Sequence, residues 1–368
     1  MLKKIILYLK NLDWILFFSI LLLVSFGLIE IYSVALGQGA TDLLNFKKQI
    51  FFIIIGFILF FVFTFWDYHN LFSFSNYFFI LGILILLFVL FFGVSVRGTR
   101  GWFYIGSFGL QPVEFVKIIL ILFIARYFSS VSLKLGSIKH IFFTGLAAFI
   151  FIILVLFQPD FGSALILLLA WLAMIAEVGF KKRYIIAILL IMSILVAGAW
   201  MFYFKPYQKE RIITFINPSS DPLDRGYNST QAIIAIGSGG FMGRGIGFGS
   251  QSQLKFLPES QTDFIFAVIA EELGFFGVIL VILLFIIFFY RSLVNLKKIK
   301  NDFGAFFILG AINLIFIQMF INIGMNLGLL PVIGISLPFL SYGGSAMLSV
   351  FILAGIMESI IIRSKINY

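Results

Sequence analysis

Asp263 closes a polar stretch, Leu257-Pro258-Glu259-Ser260-Gln261-Thr262-Asp263, that runs straight into an apolar segment. A carboxylate at such a boundary has two readings. It can cap a helix, which is the commoner role. It can also act as a general base, because partial desolvation moves a carboxyl pKa toward a useful range. Glu114 and Lys117 stand three positions apart, so a helix carries them on one face. They read either as an ion pair that lets a short helix insert, or as a positioned pair lining a cavity. The preceding Arg97-Gly98-Thr99-Arg100-Gly101-Trp102 leans toward the second reading, since two arginines spaced by glycine can approach an anionic group. Asp160, after Gln158-Pro159 and before Gly162-Ser163, has the pattern of a helix N-cap. Glu30 and Glu177 lie near the ends of apolar runs and read as interfacial. Glu271 and Glu272 lie roughly 12–14 Å beyond Asp263 at about 1.5 Å per helical residue, so at least one must face protein or water.

Other chemistry is thinly represented. There is no Cys, and His69 and His140 are far apart, so thiol catalysis and disulfides are excluded and a His-based metal site is not expected. Gly237–Gly249 holds seven glycines but no Lys-Ser/Thr follows, so this is no phosphate-binding P-loop. It reads as a tight turn that brings backbone close to a substrate. A second break, Gly334 to Ser345, places Pro338, Ser341, Tyr342, Gly343 and Gly344 at the head of the last apolar run. Such breaks are tolerated where they are buried or line a cavity.

The elements that must position these residues are membrane helices. Of 368 residues, 62% are hydrophobic and 11% charged, against roughly 25% charged in soluble domains. Apolar runs near the ~20-residue span length predict an all-α polytopic membrane protein of about ten helices. They cover roughly 14–36, 46–65, 74–94, 112–128, 139–157, 161–178, 184–204, 264–290, 303–324 and 338–362. One long loop, about 205–262, joins the seventh and eighth. The net charge of +10 sits in short basic clusters between the runs, a positive-inside pattern rather than a nucleic-acid surface. It places both termini in the cytoplasm and the long loop outside.

These segments resemble the SEDS family (shape, elongation, division and sporulation proteins). The resemblance is carried, in order along the chain, by RGTRGWFYIGSFGLQPVEFVK, QPDFGSALI, DPLDRGYNSTQAIIAIGSGG, QSQLKFLPESQTDFIFAVIAEELG and PVIGISLPFLSYGGSAML. The QSQL spacing before FLPE fits the elongation branch better than the division branch. The resemblance implies a single membrane domain over residues 1–368 and an inverting peptidoglycan glycosyltransferase. Such an enzyme polymerises lipid II at the outer face of the bacterial cytoplasmic membrane, with a class B penicillin-binding protein as partner.

The family's loop aspartate falls on Asp263, its helix-four pair on Glu114 and Lys117, and its arginine segment on Arg97 and Arg100. Lys48 and Arg211 are further candidates to neutralise the leaving pyrophosphate, as is a divalent cation, Mg or Mn. Glu259 and Ser341 are expected to contact substrate. Gln261 departs from the family pattern, which has His there. Two alternatives stay open: a flippase for the same lipid-linked precursor, and a scaffold for the penicillin-binding protein.

Overall fold

The computed structural model describes residues 2–38, 40–96, 98–106, 108–132, 136–202, 209 and 225–366. Helices occupy every expected span: α2 (Trp14–Gln38), α3 (Ala40–Phe65), α4 (Tyr68–Phe92), α5 (Val113–Ser130), α6 (Ile138–Phe157), α7 (Phe161–Glu177), α8 (Lys182–Phe202), α11 (Ile265–Leu296), α12 (Asp302–Asn326) and α13 (Gly344–Ile366). Among the described residues, seven of them (α2, α3, α4, α6, α11, α12 and α13) are long and apolar enough to cross a membrane.

Several elements correct the sequence reading. The residues ahead of the first expected span form a helix of their own, α1 (Leu2–Asn11). The segment expected as one long loop holds a helix, α9 (Arg225–Gly239), and a single turn, α10 (Ser250–Gln253). α4 begins six residues early because Asp67 caps it, its carboxylate accepting the His69 N–H at 3.0 Å. The last helix begins only at Gly344, so Pro338 to Gly343 stay outside it. The all-α expectation also needs amending. β1 (Val94–Val96), β2 (Thr99–Ile105) and β3 (Phe108–Leu110) form a small antiparallel sheet pairing Val94 with Trp102 and Phe103 with Leu110.

α13 is the buried axis of the bundle. Of its apolar span 83% is buried, against 22% for α4, whose Phe74, Tyr77, Leu84, Phe88 and Phe91 face outward. That contrast is expected when lipid replaces protein as the neighbour of the outer helices. Small residues let the helices approach closely. An added Cβ at Gly355 of α13 would stand 2.6 Å from the Phe60 carbonyl oxygen of α3, too close for any other residue. Phe57 and Phe351 then fill the same seam, their ring centroids 4.7 Å apart.

Candidate active site

The two polar breaks meet. In the turn before α11, Glu259 has φ +52° and its carbonyl accepts the N–H groups of Thr262, Asp263 and Phe264 at 3.1, 3.1 and 3.2 Å. The Thr262 hydroxyl donates to the Glu259 carboxylate at 3.1 Å. The second break grips this turn: the Ser341 hydroxyl donates to the Thr262 carbonyl (2.6 Å) and accepts the Leu337 N–H (2.8 Å). The Tyr342 N–H donates to the Gln261 carbonyl at 2.8 Å. From α12, the buried amides of Asn322 and Asn326 both donate to the Asp263 carbonyl, at 2.9 and 3.0 Å. The backbone of Asp263 is therefore held from two directions. The N-cap of α11 is Phe264, with no side-chain cap.

The turn opens onto a cavity of about 650 Å³. Asp263 and Glu259 line it from one side, and Glu114, Lys117 and Asp160 from another. Thr99 and Trp102 of the sheet also line it. Glu114 and Lys117 are both buried, with the Lys117 ammonium 2.7 Å from the Glu114 carboxylate. Ser349 of α13 donates to the other Glu114 oxygen at 3.3 Å. The pair is thus an ion pair and a cavity wall together, which joins the two sequence readings.

Asp160 is the N-cap of α7, as its pattern predicts, and accepts the Ser163 N–H at 3.0 Å, the Ser163 hydroxyl at 2.8 Å and the Gln111 amide at 3.1 Å. Burial pushes its carboxyl above the usual range, opposed by the Ser163 hydrogen bonds and the Lys117 charge. Among the described lining residues, Lys117 is the one cation, beside the four carboxylates of Glu114, Asp160, Glu259 and Asp263. No three His, Cys, Asp or Glu side chains come together as a metal-ligand set among the described residues.

Other expected contacts fall differently. Arg97 and Arg211 lie outside the described residues. Arg100 is turned away from the cavity: its guanidinium donates to the Gly93 and Phe91 carbonyls at 3.1 and 3.0 Å, closing the end of α4. Lys48 is not among the lining residues. Beside it, Gln49 bridges the Ser341 carbonyl and the Gly343 N–H, both at 3.3 Å. The Ser341 hydroxyl is committed to the turn, so its place is in positioning Thr262 rather than in reaching the cavity.

The glycine run is also reassigned. None of Gly237 to Gly249 lines the cavity. Gly243, at φ +76°, lies against the Glu272 carbonyl, and Gly274, at φ +66°, kinks α11 against the Gly243 amide. Both glutamates of α11 are fully buried and clamp this loop. Glu271 accepts the Gln251 and Ser252 N–H groups at 2.7 and 3.1 Å. Glu272 accepts the Gly247 N–H (3.0 Å), the Gln253 amide (3.1 Å) and the Ser33 hydroxyl. Glu30 is not interfacial but fully buried in α2. Gly239, Gly243 and Gly249 allow close packing that a Cβ would block, and the glutamates satisfy buried donors of the loop.

Comparison with known proteins places the chain in a family. The family model described as "Cell cycle protein" (FtsW, RodA and SpoVE) matches residues 13–366. The chain belongs to that family. It is 38% identical over 289 residues, 78% of this chain and 77% of the other, to the peptidoglycan glycosyltransferase MrdB of Escherichia coli (strain K12). Stage V sporulation protein E of Bacillus subtilis (strain 168) is 35% identical, covering 95% of this chain and 96% of its own. Among solved structures, a chain of a peptidoglycan synthase complex that coordinates polymerization and crosslinking matches with TM-score 0.82. It is 27% identical and covers 97% of this chain and 98% of that one. RodA of Thermus thermophilus matches with TM-score 0.70 and 25% identity, over 97% and 98% of the two chains. The SEDS resemblance read from the motifs is therefore confirmed at the level of the family.

Proposed function

We propose that the chain is a peptidoglycan glycosyltransferase of the elongation branch that polymerises lipid II. The activity named for its relatives supports this reading. The observation that carries it here is the convergence of Asp263, Glu114 and Lys117 on one cavity. Asp263 takes the proton of the acceptor sugar hydroxyl. That oxygen attacks the anomeric carbon of the donor from the face opposite the lipid pyrophosphate. The new glycosidic C–O bond forms as the bond to pyrophosphate breaks, inverting the centre. Pyrophosphate leaves well as an anion, so no carboxylic acid is required to protonate it, unlike the leaving alkoxide of a glycosidase. Lys117, held by Glu114, contributes positive charge to the cavity wall, where fixed charge aimed at the reacting groups lowers the barrier.

The carboxylate-rich lining suits sugar hydroxyls better than a phosphate group. For the pyrophosphate, Arg97, Lys48 and Arg211 remain the proposed contacts. All ten apolar helices cross the bacterial cytoplasmic membrane in this reading, with both termini inside. The loop 205–262 faces outward, and the whole chain is one membrane domain. The partner is a class B penicillin-binding protein, consistent with the synthase-complex neighbour.

The test is lipid II polymerisation by the purified, detergent-solubilised complex. A flippase or a scaffold makes no polymer in that assay, whereas this reading requires glycan chains that depend on Asp263.

A further inference from the structure

Among the described residues, most of the buried polar side chains around Glu114 on the cavity wall are engaged with one another, and Gln318 is not. Gln111 donates to Asp160, Asp160 accepts from Ser163, and Glu114 is held by Lys117 and Ser349. Gln318, on α12, lines the cavity and also the small recess next to it that Glu114 and Ser336 share. Only 4% of it is exposed, and its Oε1 has no hydrogen-bond partner. Buried polar atoms in folded proteins are nearly always hydrogen-bonded, and an orphan calls for a ligand or a role. This one belongs to a residue on the wall of a cavity large enough for sugar rings.

We propose that Gln318 is a specificity residue whose amide oxygen accepts a hydrogen bond from the N–H of a substrate acetamido group. The inference rests on the glycosyltransfer reading and deepens it. The neighbouring acceptors on the lining are carboxylates, which suit hydroxyls and cations. A neutral amide oxygen is the acceptor that matches a secondary amide N–H without burying another charge beside Glu114. Lipid-linked peptidoglycan precursors carry a 2-acetamido group on each sugar, so the group required is present on the substrate. A site that offers a buried acceptor to one substrate hydrogen rejects an analogue without that hydrogen, because the acceptor is then left unpaired.

The experiment compares the parent lipid II with two analogues in the purified complex. In each analogue one sugar carries 2-O-acetyl in place of 2-acetamido, which keeps the shape and the carbonyl but removes the N–H. The readout is the ratio of kcat/KM for parent over analogue within each protein, which does not depend on the fraction of protein folded. Wild type is expected to prefer the parent over one analogue by about tenfold or more. In Gln318→Leu that preference falls to about twofold or less. Equal use of all three substrates by wild type, or an undiminished preference in Gln318→Leu, overturns the inference alone. Absence of polymer from the parent substrate with wild type overturns the glycosyltransfer reading and this inference with it.

Discussion

The side-chain amide of Asn322 donates to the main-chain carbonyl of Asp263 at 2.9 Å and to that of Ile335 at 2.7 Å. One buried residue of α12 thereby ties the turn that carries the proposed base to the polar break before α13. Asn326, one helical turn further on, adds a second bond to Asp263 and accepts the Ala267 N–H at 3.1 Å.

Asn322→Leu should therefore lower polymerisation more than its effect on folding explains. The Ile335 carbonyl loses its donor, at a cost of about 1–3 kcal/mol, while the Asp263 carbonyl keeps the Asn326 amide. The expected signature is a modest drop in thermal stability in detergent with a kcat loss of roughly tenfold or more, since a misplaced catalytic group is costly. Unchanged kcat would show that Asp263 is held well enough without it.

Glu114 and Lys117 separate stability from chemistry. Removing one partner of a buried pair leaves an uncompensated charge and costs about 3–5 kcal/mol, whereas replacing both is often close to neutral. Lys117→Met alone should lower the melting temperature strongly. The double variant Glu114→Gln/Lys117→Met should recover most of that stability yet stay inactive in the polymerisation assay. Activity in the double variant would reduce the pair to a structural role.

Much of this site was legible in the sequence, and the reasons are physical. Charged side chains inside apolar runs are costly enough that each needs a purpose, which singled out Glu114, Lys117, Glu271 and Glu272. Two polar interruptions at the heads of apolar runs predicted where the bundle opens. Three-dimensional convergence was not legible. Ser341 and the glycine run were expected to meet substrate because polarity and backbone freedom look alike whether a segment contacts ligand or protein. Ser341 instead holds Thr262, and Gly243 packs on α11. The sheet at Val94–Leu110 was missed because its strands are short and flank glycines, so charge and Trp102 dominated the reading. Gln318 carries no charge and sits within an apolar helix, so only its burial without a partner marks it.

The clamp on the glycine loop gives a second structural test. Glu271→Ala strips a buried carboxylate from the Gln251 and Ser252 N–H groups. A stability loss of about 2 kcal/mol or more is expected, measured by thermal unfolding, with KM for lipid II unchanged in the folded fraction because the loop does not line the cavity. A large rise in KM would place the loop against substrate after all.

At the opposite end of the bundle, Asp13 joins the start of α2 to α11. Arg291 donates to both of its oxygens, at 2.9 and 2.7 Å, and Asn295 to one at 2.7 Å. Burial alone would raise the Asp13 carboxyl, but the hydrogen bonds from Arg291, Asn295 and the Leu16 N–H outweigh it and hold it below its ordinary value of 3.8. A depressed carboxyl stabilises the fold above the unfolded pKa and loses that contribution as pH falls through the folded one. Asp13→Asn should thus be destabilised relative to wild type at neutral pH, with the difference shrinking only below about pH 4. A difference that already vanishes near pH 6 would contradict the assignment.

The central claim is that Asp263 removes the acceptor proton. The most direct measurement is the initial rate of lipid II polymerisation by the purified complex with wild type, Asp263→Ala and Asp263→Asn, each matched for melting temperature and for co-purification of the penicillin-binding protein. A general base contributes about 10²- to 10⁴-fold, so both variants should fall by at least about 100-fold while remaining folded and partner-bound. Polymerisation by folded Asp263→Ala at the wild-type rate would contradict the account.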